Sequence, residues 1–198
     1  MKKLRVLALC AAVIELTSCA ADAPRLLEES NAGAFPITPN AILVVVDDGV
    51  FDSPVLGTMG DAYRSGLRRG LQSTLGGVPT NFIDVHSMTQ AARIAPQLRA
   101  TRPSHTLRLF TRSSMRRGTL PISVVWQMEV SSVVFHTVFS LKGIPKVEVA
   151  STPLYEASAE GDACMLSDSA ADKCGEAMGQ LLGERLRAAH VLQIDAGS

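Results

Sequence analysis

The chain has 198 residues, with 19 Lys and Arg balanced by 19 Asp and Glu for a formal net charge of zero. Its apolar content, 46%, is that of a chain that buries a core, and it argues against intrinsic disorder. The first twenty residues, MKKLRVLALCAAVIELTSCA, open with Lys2, Lys3 and Arg5 and continue into an apolar run from Val6 to Ile14. That is the layout of a secretory signal peptide. Nucleic acid is not an expected partner, because this start directs the chain out of the compartment that holds nucleic acid. Nine or ten helical residues rise only about 14 Å, roughly half of a ~30 Å hydrocarbon core, so the run is too short to be a permanent span.

Leu16-Thr17-Ser18-Cys19 ends this run, with the acid Glu15 just before it. The tetrapeptide resembles the lipobox of bacterial lipoproteins. The resemblance implies cleavage before Cys19, a thioether-linked diacylglycerol on its sulfur and an acyl chain such as palmitate on the new amine. Several acyl chains anchor a protein stably where one is marginal. Ala20 in place of an aspartate implies, by the same resemblance, sorting to the outer membrane on its periplasmic face. Removing residues 1–18 takes away Lys2, Lys3, Arg5 and Glu15 and leaves a slightly acidic remainder. Residues 19–40, with three prolines and no sustained period, are expected to form a tether. Residues 41–198 are expected to form one periplasmic domain. Cys10 leaves with the signal and Cys19 carries lipid. Cys164 and Cys174 are then the remaining pair, and an oxidising compartment favours a disulfide between them over two buried thiols.

Ala41 to Val46, AILVVV, is a continuous apolar run that suits a strand buried on both faces. After the turn DDGVFDSP, Ser53 and Pro54 suit the start of a helix. Leu56, Met59, Tyr63, Leu67, Leu71 and Leu75 line one face of that helix, and Gly76-Gly77 ends it. Gly66 and Gly70 lie beside the apolar face, a placement that predicts close approach to a sheet. NFIDVHS reads as a second strand. Ser87 is a candidate cap for a helix running to about Ala100, with Pro96 inside it. HTLRLFTR reads as a third strand. In ISVVWQMEV, Ile122, Val124, Trp126, Met128 and Val130 alternate with polar residues, so this strand has one buried face. VVFHTVFSL and KVEVA are further strand candidates. At Ser131-Ser132 a hairpin turn competes with a bulge in one long strand. Ser169-x-x-Asp172 is a capping pattern for a closing helix to about His190. Along it, Ala171, Cys174, Met178, Leu181, Leu182, Arg185 and Leu186 share a side, and VLQI after it is a candidate edge strand. The expected fold is α+β: β-α-β-α-β, then a meander and a C-terminal helix, with helices on one face of a mixed sheet.

The segments AILVVVDDG, SPVLGTMGDAYRSGLRRGLQS, NFIDVHSMTQAARIAPQLRATRPSHTLRLF and ISVVWQMEV, over about residues 41–140, together resemble periplasmic lipoprotein domains with the fold of the TolB N-terminal domain. The curli-secretion lipoprotein and lipoprotein activators of cell-wall synthases share that fold. Auxiliary lipoproteins of envelope transporters have a similar order of elements. The long C-terminal helix with its cysteine pair departs from the pattern. The resemblance implies a non-enzymatic accessory protein without a cofactor, with an envelope protein, an anionic glycan or lipid, or a second copy of itself as partner.

Asp47, Asp48 and Asp52 cluster after a buried strand, where α/β sheets often hold ligands. Asp48-Gly49 resembles the DDG of polysaccharide deacetylases, which implies a metal-dependent hydrolase as the alternative. The histidines, His86, His105, His136 and His190, lack the paired spacing that family uses. No nucleophile elbow, P-loop or C-x-x-C occurs, and Trp126 fits the buried stripe of its strand. From Val85 to Met128 there is no acid, while Arg93, Arg99, Arg102, Arg108, Arg112, Arg116 and Arg117 fall in this span. Arg64, Arg68 and Arg69 lie on the polar side of the first long helix. Arginine suits planar bidentate anions. Arg112, Arg116 and Arg117, around SSMRRG at a hairpin tip, with Arg68 and Arg69, are therefore the candidate contacts for an anion or partner. A solvated face paired with the protein's own acids is the competing reading.

Overall fold

The structure is a computed structural model, and it describes residues 22–31, 39–85, 92–140, 142, 144–189 and 191. The signal, Cys19, His86, Ser87, His190 and most of VLQI lie outside these residues. Among the described residues six strands form one mixed sheet: β1 (Arg25–Asn31), β2 (Ile42–Asp47), β3 (Thr80–Asp84), β4 (His105–Arg117), β5 (Leu120–Phe139) and β6 (Pro145–Asp162), in the order β1-β6-β5-β4-β2-β3. β2 pairs parallel with both β3 and β4, and β4, β5, β6 and β1 pair antiparallel in turn. The helices are α1 (Thr58–Leu75), α2 (Ile94–Thr101) and α3 (Asp168–Ala188). The fold is α+β with a mixed sheet.

Ile42, Val44 and Val46 of β2 point to the face that carries α1 and α3, while Leu43 and Val45 point to the other, against Ile94 and Leu98 of α2. The two long helices therefore share one face, and the short helix corrects the expectation by covering the opposite one. Handedness supplies the reason. The β2-α1-β3 crossover moves outward across the sheet, and β3-α2-β4 returns past β2 in the other direction. Two right-handed crossovers in opposite directions must lie on opposite faces.

The main core lies between β5 and the long helices. Val124, Trp126, Met128 and Val130 are buried there, as their alternation predicts. Phe51, Tyr63 and Trp126 stack, with the first two rings 4.5 Å apart and the last two 6.3 Å apart. The Trp126 indole N–H donates to Tyr63 Oη at 3.2 Å, which satisfies both polar tips inside the core. Burial raises the Tyr63 pKa well above the ordinary phenol value.

The close approach expected at Gly66 and Gly70 is to a helix and not to the sheet. α1 and α3 run parallel, and Gly66 and Gly70 face the backbone of Asp172 and Glu176. Gly175 and Gly179 of α3 reciprocally face the backbone of Tyr63 and Leu67, and Gly183 faces Thr74. The absent side chains let the backbones touch and bury Leu67, Leu71, Met178 and Leu182 around the seam.

Two further sequence expectations change, and the choice left open at Ser131 is resolved. Arg25–Asn31, within the expected tether, forms edge strand β1 against β6, tied by Arg25 to Glu160 at 2.8 Å and by the Tyr155 hydroxyl donating to Glu29 at 2.8 Å. α3 is capped by Ser167, whose hydroxyl accepts from the Ala170 amide at 3.2 Å, and not by Ser169. At Ser131 the chain makes no turn: β5 runs on, with a register shift against β6 between Val130 and Ser131. Cys164 and Cys174 form a disulfide.

Candidate functional site

The C-terminal end of β2 carries the acidic turn. Arg64 of α1 reaches into it: its Nε donates to Asp48 Oδ2 at 2.6 Å, one Nη donates to Asp52, and the other to Asp61 Oδ1 at 2.9 Å. Asp48 is fully buried. Burial alone would lower the Arg64 pKa, but the hydrogen bond and charge of Asp48, with Asp52 behind, outweigh it and the pKa is raised. Asp47 follows Val45 on the opposite face of the sheet, 3.9 Å from Arg108. The three carboxylates that the hydrolase alternative requires thus do not converge. Two are clasped by a guanidinium on the helix side, and the third points away. Among the described residues no three His, Cys, Asp or Glu side chains gather in a metal-holding arrangement. His105 sits at the start of β4 with Nδ1 2.8 Å from Ser104 Oγ, and burial lowers its pKa. His136 is exposed on the far part of β5.

The five candidate arginines separate. Arg69 is held by Asp172 at 2.5 Å and Glu176 at 3.4 Å, which bind α1 to α3. Arg68 pairs with Asp84 and lies over the Phe82 ring at 5.6 Å. Both are structural cross-links. Arg112, at 3.6 Å from Glu28, makes a loose exposed pair, of the kind that contributes little. Arg116 and Arg117 make no ion pair among the described residues. They sit at the tip of the β4–β5 hairpin, which turns at Gly118 with φ of 65°. β2 stops pairing at Phe110 of β4, so the hairpin runs seven residues, roughly 20 Å, past the acidic turn.

Beneath this tip lies a groove of about 740 Å³ that the sequence analysis missed. Its walls are the start of β5 (Leu120, Pro121, Ile122), the turn at Met165 and Leu166, and the Cys164–Cys174 disulfide, with Arg117 and Lys173 among the lining residues. Three separate segments build it, so no local pattern announces it. The available signal was Met165-Leu166, two large apolar residues in a turn that periodicity leaves unassigned.

The other end of β5 carries a different surface. β4 begins opposite Ser132, so from Val133 to Phe139 β5 pairs only with Pro145–Ser151 of β6. One face of this ribbon holds Val133, Phe135, Phe139, Val147 and Val149. Phe139 is 71% exposed and Ile144, in the connecting turn, 61%.

The arrangement is that of an α+β layer domain with exposed apolar side chains at both ends of its longest strand. No helix of the described residues is long and apolar enough to cross a membrane. No family model and no curated protein matches the chain. Solved structures that resemble it include a dodecamer of a PelC point variant from Paraburkholderia phytofirmans, at 12% identity over 81% of this chain and 98% of that chain with a TM-score of 0.40, and the PelC dodecamer from the same organism, at 12% identity over 81% and 97% with a TM-score of 0.39.

Proposed function

We propose that this chain is a lipid-anchored accessory protein of the bacterial cell envelope. It is held at Cys19 on the periplasmic face of the outer membrane, binds another protein there and performs no catalysis of its own. The observation that carries the binding role is the β5–β6 ribbon. An isolated two-stranded ribbon is marginal in water, and this one spends its apolar face on solvent. Contiguous apolar surface of that kind marks interaction sites; among the described residues Phe139 and Val149 stay exposed, with Phe135 and Val147 half-buried beside them on the same face. The lipobox resemblance supports the anchor, and the Cys164–Cys174 disulfide fits an oxidising compartment. The hydrolase alternative loses its support with the divergence of Asp47 from Asp48 and Asp52.

The test is site-specific photo-crosslinking in the native host from Phe139 and from Val149, with His136, exposed on the opposite face of the same ribbon, as comparison. The reading predicts discrete adducts from the first two positions, either to one envelope protein or to a second copy of this chain. Identical, diffuse labelling from all three positions would contradict it.

A further inference from the structure

The groove beneath the hairpin tip joins exposed apolar side chains to cations without an ion pair among the described residues. Two of its apolar residues face out, Leu166 at 80% exposed and Ile122 at 43%, and Met115 beside the tip is 64% exposed, while Met165 is buried in its floor. Its cations are free to act outward. Arg117 and Lys173 line it, Arg116 lies next to them, and none of the three makes an ion pair among the described residues. The acid in the groove, Asp162, is engaged, because its Oδ2 accepts from the Asp22 amide at 3.1 Å. Asp48 and Asp52 do not line it and are clasped by Arg64.

That Asp22 contact also fixes where the N-terminal segment arrives. Pro24 lies against Gly161, and Asp22 is tied to the residue that lines the groove. Cys19 is three residues further back in sequence, and three residues of fully extended chain reach at most about 11 Å. A lipid on Cys19 therefore leaves the domain beside the groove and at the opposite end of β5 from the ribbon.

We infer that this end of the domain rests on the bilayer itself, with Ile122, Leu166 and Met115 in the boundary of the acyl layer and Arg116, Arg117 and Lys173 on anionic head groups. The inference builds on the anchor at Cys19 proposed above. Apolar side chains ringed by cations are the composition of an interfacial contact. Each cation near an anionic surface strengthens it within a Debye length. A short leash leaves the domain little freedom to turn another face to the membrane, and it points the ribbon into the periplasm.

The experiment places the acylated chain, purified from host membranes, in vesicles of brominated phosphatidylcholine with or without phosphatidylglycerol, and reads tryptophan fluorescence. Trp126 is fully buried and is a constant background. Leu166→Trp and Ile122→Trp are expected to be quenched by the brominated chains, and Phe139→Trp is not. Replacing Arg116, Arg117 and Lys173 by Glu together should remove most of the quenching in vesicles containing phosphatidylglycerol. Leu166→Trp quenched no more than Phe139→Trp would overturn the inference. Intact mass on the same samples separates the two ideas. An acylated chain without quenching refutes the bilayer contact and keeps the anchor. An unacylated chain still quenched at position 166 removes the anchor and keeps the contact, and a chain that is neither acylated nor quenched overturns both.

Discussion

Replacing Gly175 with alanine tests the packing on which the whole layer of helices depends. A methyl built there lies 2.9 Å from the Tyr63 carbonyl carbon and 3.0 Å from the Leu67 nitrogen, and closer still to the Tyr63 carbonyl oxygen. Optimal carbon–carbon contact needs ~3.5–4.0 Å, and the oxygen is nearer than either of these atoms, so α1 and α3 must part by about 1 Å or more. Both obstacles are backbone and neither can rotate away. Parting the helices loosens Leu67, Leu71, Met178 and Leu182 at once, so a cost at the upper end of the overpacking range, about 3 kcal/mol, is expected. Alanine gains up to ~1 kcal/mol over glycine in helix propensity, which leaves a net loss of about 2 kcal/mol, roughly 4–8 °C in Tm for a domain of this size. Urea unfolding followed by circular dichroism measures it. Gly77→Ala is the comparison, since nothing lies within 4 Å of a methyl there, and it should be neutral or slightly stabilising. The double change Gly66→Ala with Gly175→Ala should cost less than the two singles together, because helices already parted leave room for the second methyl. A Gly175→Ala protein as stable as the parent, or stabilised by its propensity gain, would refute the close parallel seam.

Arg64→Leu should destabilise by about 3–5 kcal/mol, because Asp48 stays buried after its guanidinium is removed; denaturant unfolding at neutral pH checks this, and a loss under ~1 kcal/mol would contradict the clasp. Removing the disulfide by Cys164→Ala with Cys174→Ala should cost roughly 2–3 kcal/mol from the ten-residue separation, measured as a drop in Tm that reducing agent reproduces in the parent and does not deepen in the variant. His105 carries a pKa lowered by burial from its ordinary 6.5. Its contribution to stability is complete above that value and falls as the pH drops through and below it, because the unfolded chain takes up the proton first. His105→Gln should therefore flatten the loss of stability between roughly pH 7 and 5, and an unchanged slope would exclude this group.

Much of the layer architecture was legible because burial imposes a period. The alternation around Trp126, the apolar run of β2 and the spacing of Tyr63, Leu67 and Leu71 each point to one partner surface, and the structure puts them there. β1 escaped because an edge strand exposed on both sides has no period. Of Arg25–Asn31 only Leu26 is partly buried, and the segment is a strand because β6 offers it an edge. Gly66 and Gly70 announced a close approach but not its object, since the matching glycines at 175, 179 and 183 lie more than a hundred residues away. The acidic turn misled for a related reason. Adjacent residues in extended chain point to opposite faces, so Asp47 and Asp48 are neighbours in sequence and not in space. The candidate arginines could not be sorted from sequence, because what separates Arg69 from Arg117 is the presence of Asp172 and Glu176 on a distant helix. The groove, assembled from three segments, was invisible for the same reason.

The central claim is that the domain hangs from a lipid at Cys19 and works at the membrane surface. Intact mass of the protein taken from its native host membranes tests it most directly. The account predicts a chain beginning at Cys19, heavier by its acyl groups and lighter by two protons for the Cys164–Cys174 bond. An unacylated chain starting at any other residue would contradict it.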